Sequence, residues 1–331
     1  MPPYHWAAIV ASGYDILKQR LKYAANFYDL YRIDHFVGLF RVWAFPRSGS
    51  SGEKKPAAFD PPSEASWGAQ ARAILDAMLE KNLMLPCAED LGAVPEEAKT
   101  VLKEYSIPGM EVQRWMRDWE TSLDFRQPES YRLHSVATLS THDMSPFENW
   151  WLFEAGTVEA SLVRWRFTQR GLSFEAEAPK LFENILGVHG RLRWKDTIRE
   201  ASLLPELLGR PKDELWEIME LFRSTADERD KFLRFLGYQG RDPNEIPIRD
   251  LIERALERAA QSTSIFSIQL VQDLLALDRV FGPADREARL NLPGVMDERN
   301  WRLRVPISLK KMRSLPGNAL IRRINETGTR T

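Results

Sequence analysis

Between residues 5 and 30, Ile16, Leu17, Leu21, Ala24, Phe27 and Tyr28 recur at spacings of three and four. That period places apolar side chains on one helix face, so an amphipathic helical region is expected here. The short apolar run "LYRIDHF" follows, and has the texture of a buried strand. Residues 45–64, "FPRSGSSGEKKPAAFDPPSE", read as a loop rich in Pro, Gly, Ser and Lys. "ASWGAQARAILDAMLEKN" returns to the helical period, with Ile74, Leu75, Met78 and Leu79 on one side. "LMLPCAEDLG" (83–92) is a second apolar run. It precedes "VPEEAKTVLKEYS", a helix with Pro95 near its first turn and Glu96 and Glu97 suited to its N-terminal dipole. "IPGMEVQRWMR" (107–117) and "SVATLSTHDM" (135–144) are third and fourth strand candidates.

From about 157 to 262 charged helical patterns dominate, and "TSIFSIQLVQDLLALD" (263–278) then returns to a buried-strand texture. Alternating helix and strand patterns argue for βαβ units and a parallel sheet. The expected fold is α/β, a (β/α)8 TIM-type barrel with a mostly helical insertion. The expected division is 1–156 for barrel strands and catalytic loops, 157–262 for the helical insertion or excursion, and 263–331 for the final strand and C-terminal segment. A chain of 331 residues is within reach of one barrel with insertions.

Composition narrows the function. With 46 Lys and Arg against 47 Asp and Glu, the formal net charge is −1. A partner selected by bulk electrostatics, whether nucleic acid or an anionic membrane, is not expected. A single cysteine, Cys87, excludes a disulfide framework within the chain. With no secretion signal and no membrane-length apolar stretch, the expected location is cytoplasmic. Aromatic residues at 11% are somewhat rich. They suit both a core and a sugar-binding cleft.

Several charged residues interrupt apolar runs where burial would be costly. Arg32 and Asp34 are two apart, so on a strand they share a face, and Arg32 can hold Asp34 ionised. Such a carboxylate serves as the nucleophile of a glycosyl transfer, although a structural ion pair has the same signature. Glu89 follows apolar or small residues, an environment that suits a general acid, but Glu89 and Asp90 also read as strand-end or helix-cap acids. His142 and Asp143 form a polar island at a strand end. No HxH, HExxH or cysteine-rich companion accompanies them, so a zinc site is not expected. No phosphate loop anchors nucleotide chemistry, and no GxSxG elbow supports Ser140 as a nucleophile. "HGRLRW" (189–194) reads as a solvated face, and Trp150 and Trp151 as core for at least one of the two. Three of the apolar runs end in acidic residues, as the catalytic strand ends of a β/α barrel do.

"RIDHFVGLFRVW", "LPCAEDLG" and "STHDMSPFENWW" resemble the three active-site blocks of the 4-alpha-glucanotransferases, the amylomaltases of glycoside hydrolase family 77. "VQDLLAL" (271–277) and "RLNLPGVMDERNWRLRVP" (289–306) resemble two later blocks of that family. The resemblance implies Asp34 as nucleophile, Glu89 as acid/base and Asp143 as the third, transition-state-stabilising carboxylate. Arg32 would orient the nucleophile, while His35 and His142 would contact sugar hydroxyls. It implies a retaining double displacement on malto-oligosaccharides or other α-1,4-glucans, with no cofactor and no metal. The likeness departs at Val37, Met144 and Val295, where the family carries Arg, Asn and Thr. The segment "PPYHWAAIVASGY" resembles the stretch just before the nucleophile strand, so a barrel incomplete at its N-terminal side is expected. The alternatives are an α-glucan hydrolase of the same architecture and a truncated, non-catalytic glucan-binding chain.

Overall fold

The computed structural model of the protein describes residues 4–45, 56–183, 190–281 and 289–328. The chain forms two compact units. One comprises Met1–Glu111, Arg132–Val136 and Ser264–Phe266, and the other Val112–Tyr131, Ala137–Thr263 and Ser267–Thr331. Among the described residues, no helix is long and apolar enough to cross a membrane.

The first unit is built on parallel strands. β1 (Leu30–Ile33) pairs in parallel with β4 (Leu85–Ala88), with Leu30 opposite Leu85 and Ile33 opposite Ala88. The connection between them carries β2 (Val42–Ala44), β3 (Ala58–Asp60) and the helix Trp67–Leu79. That helix buries Ala71, Ile74 and Leu75, while Met78 and Leu79 are half-buried. The helix Glu96–Glu104 follows β4, with Pro95 at its N-cap and Ala98, Val101 and Leu102 inside. These faces meet in one core with Ile33, Phe36 and Phe40. This is the βαβα texture expected from the sequence, and the apolar burial between strands and helices is what makes it stable.

The strand series continues by single main-chain bonds. Ala88 N donates to Pro108 O (2.8 Å), Gly109 N to His134 O (3.1 Å) and Ile265 N to Leu133 O (2.9 Å). These bonds open β5 (Gly109–Val112), β6 (Ser135–Thr138) and β9 (Phe266–Ser267), which form a sheet in the order β5-β6-β9. Among the described residues β1 pairs only with β4, so the series is open rather than a closed barrel. At β5 the backbone approaches Asp90 so closely that a Cβ on Gly109 would lie 2.4 Å from its carboxylate. Only glycine fits there, which leaves Asp90 free to accept from Met110 N at 2.8 Å.

Several expectations are corrected in this unit or beyond it. The stripe expected over residues 5–30 becomes two helices, Trp6–Ala11 and Asp15–Ala24, neither of which buries a residue. Gly13 and Tyr14, both left-handed, break the run, and Ile16, Phe27 and Tyr28 are exposed. The loop expected over 45–64 contains β3, which pairs antiparallel with β2 and stacks Phe59 against Trp43 and Trp67. Its residues 46–55 lie outside the described residues. The strand texture of 263–278 resolves into only two strand residues, β9, followed by the helix Val271–Leu275 and a helical turn to Asp278. A short apolar run does not by itself distinguish a strand from a buried helix.

The second unit is largely helical and has two main apolar clusters. One gathers Phe125, Leu139, Phe147, Trp150, Trp151 and Phe232 with the helix Ile248–Ala260. Both tryptophans are core, as expected for at least one of them. Phe232 is fully buried, its ring 4.9 Å from those of Phe125 and Trp150. The other cluster lies within 158–222. It includes an antiparallel pair that the charged texture concealed, β7 (Thr157–Glu159) with β8 (Arg191–Arg193). "HGRLRW" is therefore not a solvated face: Leu192 and Trp194 are buried, and Trp194 stacks on Phe182. Alternation along a strand hides every second residue, a period the flanking arginines masked. His189 lies outside the described residues.

Replacing Phe232 by Ala is expected to lower the unfolding free energy by about 3–5 kcal/mol, as for other large-to-small changes in tight cores. Urea unfolding followed by tryptophan fluorescence measures this. A loss below ~1 kcal/mol would show that the ring is not central to the packing.

Candidate active site

The first cluster of charges sits where β1 and β4 end. Glu89 N donates to Ile33 O at 2.9 Å, and Phe36 N donates to Glu89 O at 3.1 Å. The main chain around Glu89 is thereby stitched to the turn after β1. His35 takes a left-handed conformation in that turn (φ +46°), which points its N–H at the Glu89 carboxylate, 2.7 Å from Oε2. The His35 ring lies over Gly38, where a Cβ would come within 2.9 Å of the imidazole.

Arg32 joins the two acids. Its Nη1 is 2.5 Å from Asp34 Oδ1, and its Nη2 is 3.5 Å from Glu89 Oε2. One planar guanidinium therefore faces both carboxylates, a task its fork suits and a lysine's point charge does not. The two acids differ in setting: the Asp34 side chain is 73% exposed and that of Glu89 is 20% exposed. Asp34 thus faces open solvent while Glu89 is recessed. The neighbouring Asp90 points the other way. Its buried carboxylate pairs with Arg132 at 2.5 Å, and Arg132 also bonds buried Glu111. Asp90 is structural, and together with the Ile33 and Phe36 bonds it holds Glu89 from both sides.

His142 and Asp143 belong to the second unit, on the loop after β6. His142 Nε2 is 3.4 Å from Asp143 Oδ1, and the His142 ring lies 5.1 Å from that of Trp301. Asn291 Nδ2 donates to Asp143 Oδ1 at 2.7 Å, and Arg289 Nη2 donates to Asp143 O at 2.8 Å. Arg289 and Asn291 were not singled out in the sequence. The signal available was their place at the start of "RLNLPG", a polar pair bracketed by leucines. A cavity of about 700 Å3 adjoins this loop, lined in part by Ser145, Asn149, Phe153, Arg289, Leu292 and Asn300.

Arg32, Asp34, His35 and Glu89 thus meet in one cluster, and His142 and Asp143 in another. Acidic side chains delivered by the ends of parallel strands define the enzyme class of β/α scaffolds, in which strand ends carry the chemistry. The chain belongs to the 4-alpha-glucanotransferase family, glycoside hydrolase family 77, whose model matches residues 1–310. It is 31% identical over 314 residues to the 4-alpha-glucanotransferase of Chlamydia pneumoniae, covering 94% of this chain and 44% of that protein. It is 29% identical over 298 residues to the 4-alpha-glucanotransferase of Chlamydia trachomatis serovar D, covering 90% of this chain and 41% of that one. The chain therefore spans less than half the length of these curated relatives. Its fold is similar to that of the amylomaltase from Streptococcus agalactiae in complex with acarbose. The TM-score is 0.58 at 19% identity, covering 99% of this chain and 47% of that one.

Cys87 stands opposite Arg32 in the β1–β4 ladder and is buried. Burial pushes its thiol up, so less thiolate forms near neutral pH. Alkylation of native protein at pH 8 is expected to run at least about tenfold slower than in urea, with a rate still climbing above pH 9. A native rate equal to the unfolded one, measured by mass spectrometry, would contradict this placement.

Proposed function

We propose that this chain carries the chemistry of a 4-alpha-glucanotransferase, moving α-1,4-glucan segments between malto-oligosaccharides by a retaining double displacement. The observation that carries the reading is the single Arg32 guanidinium facing both Asp34 and Glu89. Paired carboxylates held close to one another suit a retaining reaction. The names of the relatives, and the acarbose bound to the similar amylomaltase, support the substrate class.

In this reading Asp34 is the nucleophile and attacks the anomeric carbon. Glu89 gives its proton to the departing glycosidic oxygen, which leaves with the shortened glucan. A glycosyl ester to Asp34 remains. Glu89, now a carboxylate, takes the proton from the 4-hydroxyl of a second glucan as that oxygen attacks the same carbon and releases Asp34. Asp143 stabilises the charge developing on the sugar ring, held for this by Asn291. Arg32 orients Asp34, and His35 and His142 bind sugar hydroxyls. Only proton and glycosyl transfers occur, so these side chains need no cofactor. The division into 1–156, 157–262 and 263–331 is part of the proposal, with the middle stretch as an accessory excursion. So is a cytoplasmic location, which the single buried cysteine supports.

Incubation with maltotriose tests the reading. Transfer of a maltosyl unit gives glucose and maltopentaose in equal amounts. Asp34→Asn is expected to reduce turnover by about 10³-fold or more. Glucose and maltose without longer oligomers would mark a hydrolase instead. Full turnover in Asp34→Asn, or maltotriose binding without any product from the unaltered chain, would overturn the proposal.

A further inference from the structure

Arg114 and Asp273 are charged, buried and take no part in the chemistry proposed above. Arg114 is 4% exposed and Asp273 fully buried. Arg114 Nε donates to Leu139 O at 3.2 Å, and its Nη2 donates to Ser140 Oγ at 2.8 Å and Ser145 O at 2.6 Å. Asp273 Oδ1 accepts from Phe147 N at 2.6 Å. All of these contacts flank Thr141, His142, Asp143 and Met144. Two partners precede that segment and two follow it. The opposite side of the loop is held by Arg289 and Asn291 through Asp143 itself.

Buried charges of this kind are costly unless paired, and a well-packed apolar pair would serve stability as well or better. Burial drives the Arg114 guanidinium down to about 10 and the Asp273 carboxyl up, and the charge of each opposes the shift of the other. Asp273 accepts a main-chain N–H, and Arg114 reaches two carbonyls and a hydroxyl in a fixed plane. Such contacts set a loop's path rather than merely fill space.

We propose that Arg114 and Asp273 form a positioning clamp that holds the 139–147 loop so that Asp143 keeps one orientation. The proposal rests on the reading of Asp143 as a catalytic carboxylate, but its first test does not. Asp273→Asn keeps an acceptor for Phe147 N and removes the charge facing Arg114. Ser140→Ala removes the hydroxyl that lies against both Arg114 and Asp273 but leaves their charges in place, and is the milder variant should Asp273→Asn fold poorly.

Hydrogen exchange followed by mass spectrometry on the full chain reads the loop without any need for turnover. In Asp273→Asn, peptides spanning 139–147 are expected to exchange about tenfold faster, the effect of losing one buried charge-assisted contact. The helices Trp67–Leu79 and Ile248–Ala260 should exchange as before. Ser140→Ala should give a smaller rise, about threefold, in the same peptides. Faster exchange spread through both helices, or none in the loop, would overturn the clamp.

With maltotriose, Asp273→Asn should lower kcat about tenfold with KM held within about twofold. In an Asp143→Asn background it should cost nothing more, because a positioning residue acts through the group it positions. An equal additional loss there would reduce the pair to a structural role. Unchanged turnover in Asp143→Asn alone would instead remove the catalytic reading of Asp143, with the clamp still decided by the exchange result.

Discussion

Two carboxylates placed at neighbouring strand ends repel each other, and water alone screens them without orienting them. The Arg32 guanidinium resolves this in the first unit. It stands on β1, two residues before Asp34 in the turn that follows, and reaches across to Glu89. The geometry depends on the β1–β4 register, which sets Arg32 opposite Cys87 and brings Glu89 beside the turn after Ile33. Slipping a strand by one residue would send the arginine to the other face and separate the acids. The left-handed turn at His35 and the glycine under its ring adjust the same junction.

Charge burial recurs at the strand ends in a consistent form. Buried Asp90 pairs with Arg132 and accepts a main-chain N–H, buried Glu111 bonds the same arginine, and Arg114 and Asp273 are both buried and each bonded to main chain. Arg117, buried beside Glu228, bonds the carbonyls of Leu123 and Ser224. In each case an ion satisfies main-chain groups that loops leave unpaired. Loops around such ions are fixed more tightly than apolar packing alone would fix them, which is what a site carried on loops requires.

The apolar clusters act as the base for these loops. Phe147, Trp150 and Trp151 begin directly after the Asp143 segment, and their burial anchors its downstream end. Ala88 and Ile33 do the same beneath Glu89 and Asp34. The side chains proposed to act on sugar therefore lie one to four residues from fully packed positions, close enough that a shift in the core would reach them.

The sequence alone established the βα alternation, the helices Trp67–Leu79 and Glu96–Glu104, the pairing of Arg32 with Asp34 and the membership of the family. All of these depend on local period, short spacing or ordered motifs. It could not place Glu89 against His35, Asn291 against Asp143 or Arg114 around the 139–147 loop, since those partners lie 25 to 148 residues apart along the chain. Nor could it tell that Ile16, Phe27 and Tyr28 of the stripe before residue 30 stay exposed, that 271–275 is helical, or that Leu192 and Trp194 turn inward. Periodicity reports which side chains share a face. Whether that face meets a neighbour or water, and which distant charge completes a buried one, depends on contacts that exist only once the chain has folded.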